Sequence, residues 1–287
     1  MPLFSAHDGT SLAYHEYGSG SPLICLPGGP MRASAYLGEL GGLSAKRRLI
    51  MMDLRGTGGS ATPEDTGSYR CDRQVDDVEA LREHLGLERM DLVAHSAGAN
   101  LAALYAARSP ERIGRLVLVT PSTKAVGLPP TAEIQREVTR PRAAEPWYPA
   151  ASAALEAVIA GDATDEDWEA IIPFFHGRWD AAAQAHEALN DEQRNGEAAA
   201  AFAAKGAFDP DATRSALAGF PAPVLVLAGE VDLGGAPQLI AEYAALFPNA
   251  ELVVQPGGGH FPWLDDAEGF VTAIEAFLTR HTAHPAR

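Results

Sequence analysis

Met90-Asp91-Leu92-Val93-Ala94-His95-Ser96-Ala97-Gly98-Ala99-Asn100 decides how this chain folds. An apolar run stops at a turn of small residues carrying one serine, and an alanine-rich stretch with helical character follows. That order, strand then tight turn then helix, is the form of a nucleophile elbow, which lifts a serine hydroxyl to the edge of a sheet. The residues around the serine must be small because strand and helix pass close to the turn. Ala94 stands where the common Gly-x-Ser-x-Gly pattern has its first glycine, a replacement that sterics tolerate. Small-x-Ser-x-Gly also arises by chance, so the elbow gains weight only if a base, an acid and an oxyanion hole occupy the right places in the chain.

Working outward, residues 1–121 alternate short apolar runs with helical patterns, the mark of a parallel α/β sheet. Strands are expected over 11–17, 23–26, 49–52, 91–94 and 115–119. Helices are expected over 73–85, with apolar residues at 75, 78, 81 and 85, and over 100–108. The alternation resumes in 222–287, with strands at 223–228 and 251–254 and helices at 237–247 and 266–279. Asp265 or Asp266 is placed to cap the last helix, with Glu268 in its first turn.

Residues 122–221 have a different composition. They are alanine-rich, show no strand–helix alternation, and carry 16 acidic against 8 basic residues, half of the chain's net charge of −16. The expected organisation is therefore a mostly parallel α/β core, 1–121 with 222–287, with helices on both faces and a helical cap, 122–221, over the carboxyl ends of the strands. Trp147, Phe174, Phe175 and Trp179 in the cap, with Phe261, are candidates for the walls of a substrate pocket. The same aromatics would also serve as the small core of a helical layer.

A serine needs a base to take its proton. Of nine histidines, His7, His15 and His84 read as surface or edge residues, and His281 and His284 lie in the tail. His95 sits beside the serine on a strand, points the other way and reads as packing. His260 differs: it follows Gly257-Gly258-Gly259 after the last strand, in a loop able to return over the sheet edge, and is the expected base. The acid that orients it is expected at Asp232, just after the strand 223–228, with Glu230 as second choice. The end of the preceding strand offers Thr120, which cannot serve. The resulting chain order is Ser96, Asp232, His260. Oxyanion donors are expected from the N–H of Ala97, after the nucleophile, and of Gly29, in Pro27-Gly28-Gly29-Pro30 after the strand 23–26. No His/Asp/Glu cluster has metal-ligand spacing, and Gly56-Thr57-Gly58-Gly59-Ser60 lacks the Lys-Ser/Thr of a phosphate loop. Neither metal nor cofactor is expected.

With these residues in view, the chain is identified as a member of the α/β-hydrolase superfamily and resembles its proline iminopeptidase group. Leu26-Pro27-Gly28-Gly29-Pro30 is similar to that group's His-Gly-Gly-Pro-Gly loop. Asp53-Leu54-Arg55-Gly56-Thr57-Gly58-Gly59-Ser60 is similar to its Asp-Gln-Arg-Gly-x-Gly-x-Ser, and 77–86 to the helix before its elbow. Pro27 departs from the loop histidine, and Ala97 from the tryptophan that usually follows the serine. The resemblance implies a serine hydrolase cleaving a small carboxylic ester or amide through an acyl-enzyme, as an aminopeptidase or as an esterase or lactonase. A ligand receptor without activity is the alternative from a different class. The group is understood to hold a substrate's free amine with cap carboxylates; the cap here offers Glu133, Glu137, Glu169, Asp180 and Glu187.

Composition narrows the partners. A 46% hydrophobic, 21% charged chain is ordinary for a globular protein, and its acidity argues against nucleic acid and anionic membranes. Cys25 reads as a small core residue and Cys71 belongs to no motif, so no disulfide framework is expected. Without a leader at 1–9 or an apolar run long enough to span a bilayer, the expected location is the cytoplasm.

Overall fold

The computed structural model describes residues 1–281; His284, read above as a tail residue, lies outside them. Eight strands form one sheet: β1 (Leu3–Ser5), β2 (Ser11–Tyr17), β3 (Pro22–Leu26), β4 (Arg48–Met52), β5 (Met90–His95), β6 (Ile113–Val119), β7 (Val224–Gly229) and β8 (Ala250–Gln255). Their spatial order is β1-β2-β4-β3-β5-β6-β7-β8. β1–β2 and β2–β4 pair antiparallel, and every pair from β4 to β8 is parallel. The three-residue edge strand β1 is too short to leave a periodic signal in the sequence.

The order reverses at β3 and β5: the chain leaves β3 for β4 on one side, then crosses to β5 on the other. Such a switch point opens a crevice at the carboxyl ends of the two strands. The register pairs Leu26 with Ala94 there, which brings the loop after β3 beside the turn after β5.

Burial on both faces explains why the central strands read as continuous apolar runs. On one face Leu92, Ala94, Leu116, Leu118, Val224 and Val226 share a core with residues of α1 (Val75–His84) and α2 (Gly98–Arg108). On the other, Val93, Val117, Val119, Leu225 and Leu227 pack with Tyr36, Phe261 and Trp263.

Between β6 and β7 the described residues form helices α3 (Ala132–Thr139), α4 (Tyr148–Ala160), α5 (Asp165–Ala170), α6 (Ala181–Ala188), α7 (Asn190–Gln193), α8 (Gly196–Phe202) and α9 (Pro210–Leu217). Three more follow: α10 (Pro237–Ala244), α11 (Pro262–Asp265) and α12 (Ala267–Arg280). Asp266 caps α12, its side chain accepting from Gly269 N–H. The helical stretch packs in two ways. Val138, Ala151, Ala154, Leu155, Ile171 and Phe174 make a small core of their own with Leu233 and Ala236. Ala198, Ala199, Phe202, Leu217 and Phe220 instead join the main core.

Candidate active site

The elbow after β5 holds Ser96 at φ 51°, a left-handed conformation that costs a side-chain-bearing residue energy and is kept only where the surroundings enforce it. They do so through the backbone: Ser96 N–H donates to Val119 O (3.1 Å), and Ser96 O accepts from Ser122 and Ala99 N–H (3.0 Å each). Two glycines allow the tight crossing. A Cβ on Gly98 would lie 2.5 Å from Pro27 O, and one on Gly28 would lie 2.8 Å from Ser96 Cβ. The elbow and the loop after β3 are thus in contact, which is the steric reason for small residues in both motifs.

Ser96, His260 and Asp232 come together although they are separated by up to 164 residues. Asp232, on the turn after β7, is fully buried; its Oδ1 accepts from Gly234 N–H at 2.7 Å and its Oδ2 from His260 Nδ1 at 2.8 Å. A carboxylate only accepts, so this bond places the proton of the neutral ring on Nδ1 and leaves Nε2 as acceptor. Nε2 stands 2.7 Å from Ser96 Oγ, which donates to it. Glu230, the second choice, instead accepts from Gly257 N–H on the next loop.

The N–H groups of Gly29 and Ala97 donate to no other group among the described residues. Gly28 N–H is taken: it donates to Tyr36 Oη at 2.7 Å. Tyr36 in turn donates to His95 Nδ1 (2.7 Å), and His95 Nε2–H donates to His260 O (2.8 Å). Thr120 Oγ1 donates to the same carbonyl at 2.9 Å. Burial holds the His95 imidazole well below its ordinary pKa, and the neighbouring His260 adds to this, so His95 is neutral and the polarity of the chain is defined. Read from sequence as packing, His95 is also the middle of a hydrogen-bond chain from the loop after β3 to the backbone of His260.

The helical stretch is bonded to both sides of this arrangement. His260 N–H donates to Phe175 O (2.6 Å) and Leu233 N–H to Phe174 O (3.2 Å), while Ala33 N–H donates to Gln193 O (2.8 Å) and Asn195 N–H to Met31 O (3.0 Å). Asp265 Oδ2 accepts from Gly259 N–H (2.7 Å) and Gly177 N–H (3.3 Å). Burial raises its carboxyl pKa.

Ser96 opens into a cavity of about 460 Å³. Of the expected wall aromatics, Phe175 and Phe261 line it, with Trp168 and Ile172. Trp147, Phe174 and Trp179 do not, and this corrects the sequence reading. Phe174 is fully buried in the small helical core, Trp147 stands edge-on to it at 5.2 Å, and Trp179 packs on His176 at 5.0 Å. All three lie in the turns between the helices, where no periodicity fixes the facing of an aromatic and tertiary packing decides it. Of Glu133, Glu137, Glu169, Asp180 and Glu187 only Glu187 reaches the cavity, where Arg32 and Lys124 are the other charged walls. His176 Nε2 lies 3.5 Å from Glu187 Oε2 and holds this carboxyl below the ordinary range.

Asp53 and Arg55 of the Asp53–Ser60 stretch lie away from the cavity. Asp53 accepts from Ser34 N–H and Gly59 N–H (2.8 and 2.9 Å), and Arg55 pairs with the buried Asp77. Among the described residues no group of three or more His, Cys, Asp or Glu could hold a metal ion, and no helix is long and apolar enough to cross a membrane.

A family model for the alpha/beta hydrolase fold matches residues 21–267. Among curated proteins, the chain is similar to the cis-3-alkyl-4-alkyloxetan-2-one decarboxylase of Shewanella oneidensis, 36% identical over 45% of this chain and 40% of that one. It is also similar to the proline iminopeptidase of Heyndrickxia coagulans, 34% identical over 39% of each chain. It thus spans about 40% of the length of these curated relatives. Among solved structures it resembles the proline iminopeptidase of Mycobacterium smegmatis, with a TM-score of 0.74 and 25% identity over 98% of both chains.

Proposed function

We infer the reaction from one premise: the chain belongs to the α/β-hydrolase family. The function we assign is that of a serine hydrolase cleaving a small carboxylic ester or amide through an acyl-enzyme. The observation that carries it is the linked pair of bonds from Ser96 Oγ to His260 Nε2 and from His260 Nδ1 to Asp232, at the wall of a cavity.

In this reading the Ser96 Oγ–H proton passes to His260 Nε2 as Oγ bonds to the substrate carbonyl carbon. The carbonyl oxygen takes up the electron pair, and the N–H groups of Gly29 and Ala97 receive it. Asp232 stabilises the imidazolium. The proton on Nε2 then goes to the leaving alcohol or amine as the carbonyl re-forms. Water, deprotonated by His260, repeats the addition on the acyl-enzyme, releasing the acid and restoring Ser96. The stretch 122–221 serves as the cap that keeps bulk water from these steps.

A narrower reading, an aminopeptidase of the proline iminopeptidase kind, is favoured by Glu187 on the cavity wall, where a carboxylate can accept from a substrate's ammonium group. The test compares short p-nitrophenyl esters with proline p-nitroanilide on the native protein and on His260→Ala. Ester hydrolysis abolished in His260→Ala supports the serine-hydrolase reading. Ester turnover without anilide turnover rejects the aminopeptidase.

A further inference from the structure

Arg32 is 2% exposed, yet no Asp or Glu among the described residues pairs with it. Its Nε donates to Gln193 Oε1 (2.9 Å) and its Nη2 to His186 O (3.0 Å), both neutral acceptors. The guanidinium lies over the Tyr36 ring, 4.6 Å from the centroid. Nη1 donates to no group of the described residues. A buried charge is costly unless it is paired, and a guanidinium keeps its proton under all ordinary conditions. This one also lines the cavity that Ser96 opens into. The single carboxylate on that wall, Glu187, makes no hydrogen bond to Arg32 and acts on it only through space, with His176 Nε2 3.5 Å from its Oε2. Lys124, exposed at the same cavity, adds a second cation. In a chain of net charge −16, the cavity carries two fixed cations against one carboxylate.

We propose that the cavity takes substrates bearing a carboxylate, and that Arg32 binds this group through its unused Nη1. The position suits the role. Arg32 follows Gly29 on the same loop, its N–H donating to Gly28 O at 3.1 Å, so an anion held by Arg32 is referenced to the loop that supplies an oxyanion donor. The planar fork supports directional binding of a carboxylate oxygen. The proposal rests on the serine-hydrolase reading and names the substrate class of that same site.

The test uses two pairs of esters differing only in a carboxylate. On the acyl side these are mono-p-nitrophenyl glutarate and p-nitrophenyl pentanoate; on the leaving-group side, 4-acetoxybenzoate and phenyl acetate. The native protein is expected to prefer the anionic member of at least one pair in kcat/KM by roughly 10-fold to 100-fold, the scale of a hydrogen bond to a charged group. In Arg32→Gln that ratio falls toward one, and Arg32→Lys restores part of it. Folding of each variant is checked by circular dichroism and by fluorophosphonate labelling of Ser96. No preference in either pair, a preference that survives Arg32→Gln, or an equal loss on both members overturns the proposal; the last marks Arg32 as a clasp between loop and cap. Turnover of the neutral esters that disappears in Ser96→Ala keeps the serine-hydrolase reading standing in each of those cases. Absence of all ester turnover overturns both.

Discussion

Tyr36 Oη lies 2.7 Å from His95 Nδ1 and accepts at 2.7 Å from Gly28 N–H, so one phenol joins the loop after β3 to the last residue of β5, just before Ser96. Tyr36→Phe keeps the ring but leaves a buried N–H and a buried imidazole nitrogen without partners, a loss of about 1–3 kcal/mol. Urea denaturation is expected to show it. Gly28 precedes Gly29, the proposed oxyanion donor, so kcat is expected to fall with KM little changed, by less than the roughly 10²–10³ lost when a donor is removed outright.

Asp232→Asn retains the shape of the site but offers His260 Nδ1 an amide in place of a carboxylate. The ring can then turn its lone pair toward residue 232 and its N–H toward Ser96. Turnover of an activated ester is expected to drop on the order of 10⁴-fold with the thermal midpoint little moved. A loss under tenfold would place the orienting acid elsewhere.

Acid should destabilise the fold through buried histidines. Burial holds His95 well below its ordinary value, and burial with the nearby Arg32 brings His186 to about 4. Both are neutral in the folded protein while an unfolded histidine protonates near 6.5. The unfolded state therefore binds more protons between about pH 6.5 and 4, and unfolding free energy rises with pH across that window. Stability is full above pH 6.5 and declines as the pH falls toward 4. Urea midpoints at half-unit intervals should show this slope, and His186→Gln should lessen it.

Arg55 donates to Asp77 through Nε and Nη2 at 2.5 and 2.6 Å, and Asp77 is fully buried. Arg55→Met strands that carboxylate and is expected to cost about 3–5 kcal/mol of stability. Arg55 lies outside the cavity, so the folded fraction should keep its kcat. A selective loss of kcat would show that Arg55 acts on the chemistry.

These residues also mark where reading the sequence succeeds and stops. Ser96, Asp232 and His260 each follow a strand whose apolar run is unmistakable, and parallel strands deliver their carboxyl-end loops to one edge. Chain order plus residue type was enough to nominate all three. Gly28 and Gly98 were legible for the same reason, since a close crossing leaves no room for a Cβ. His95 was legible only as a strand residue, because its role depends on Tyr36, 59 positions away. Trp147, Phe174 and Trp179 were misplaced because they sit at or between the ends of short helices, where the sequence carries no periodicity to say which way a side chain faces. Arg32 carries no motif; that both its hydrogen-bond acceptors are neutral is something only the fold reveals.

The proposed reaction turns on Ser96 as a nucleophile activated by His260. The most direct measurement is covalent labelling with a fluorophosphonate, mapped by mass spectrometry on the native protein, Ser96→Ala and His260→Ala. One label is expected on Ser96 in the native protein, none in Ser96→Ala, and labelling slowed by orders of magnitude in His260→Ala. Equal labelling of Ser96→Ala, or an unlabelled native protein that is folded, would contradict it.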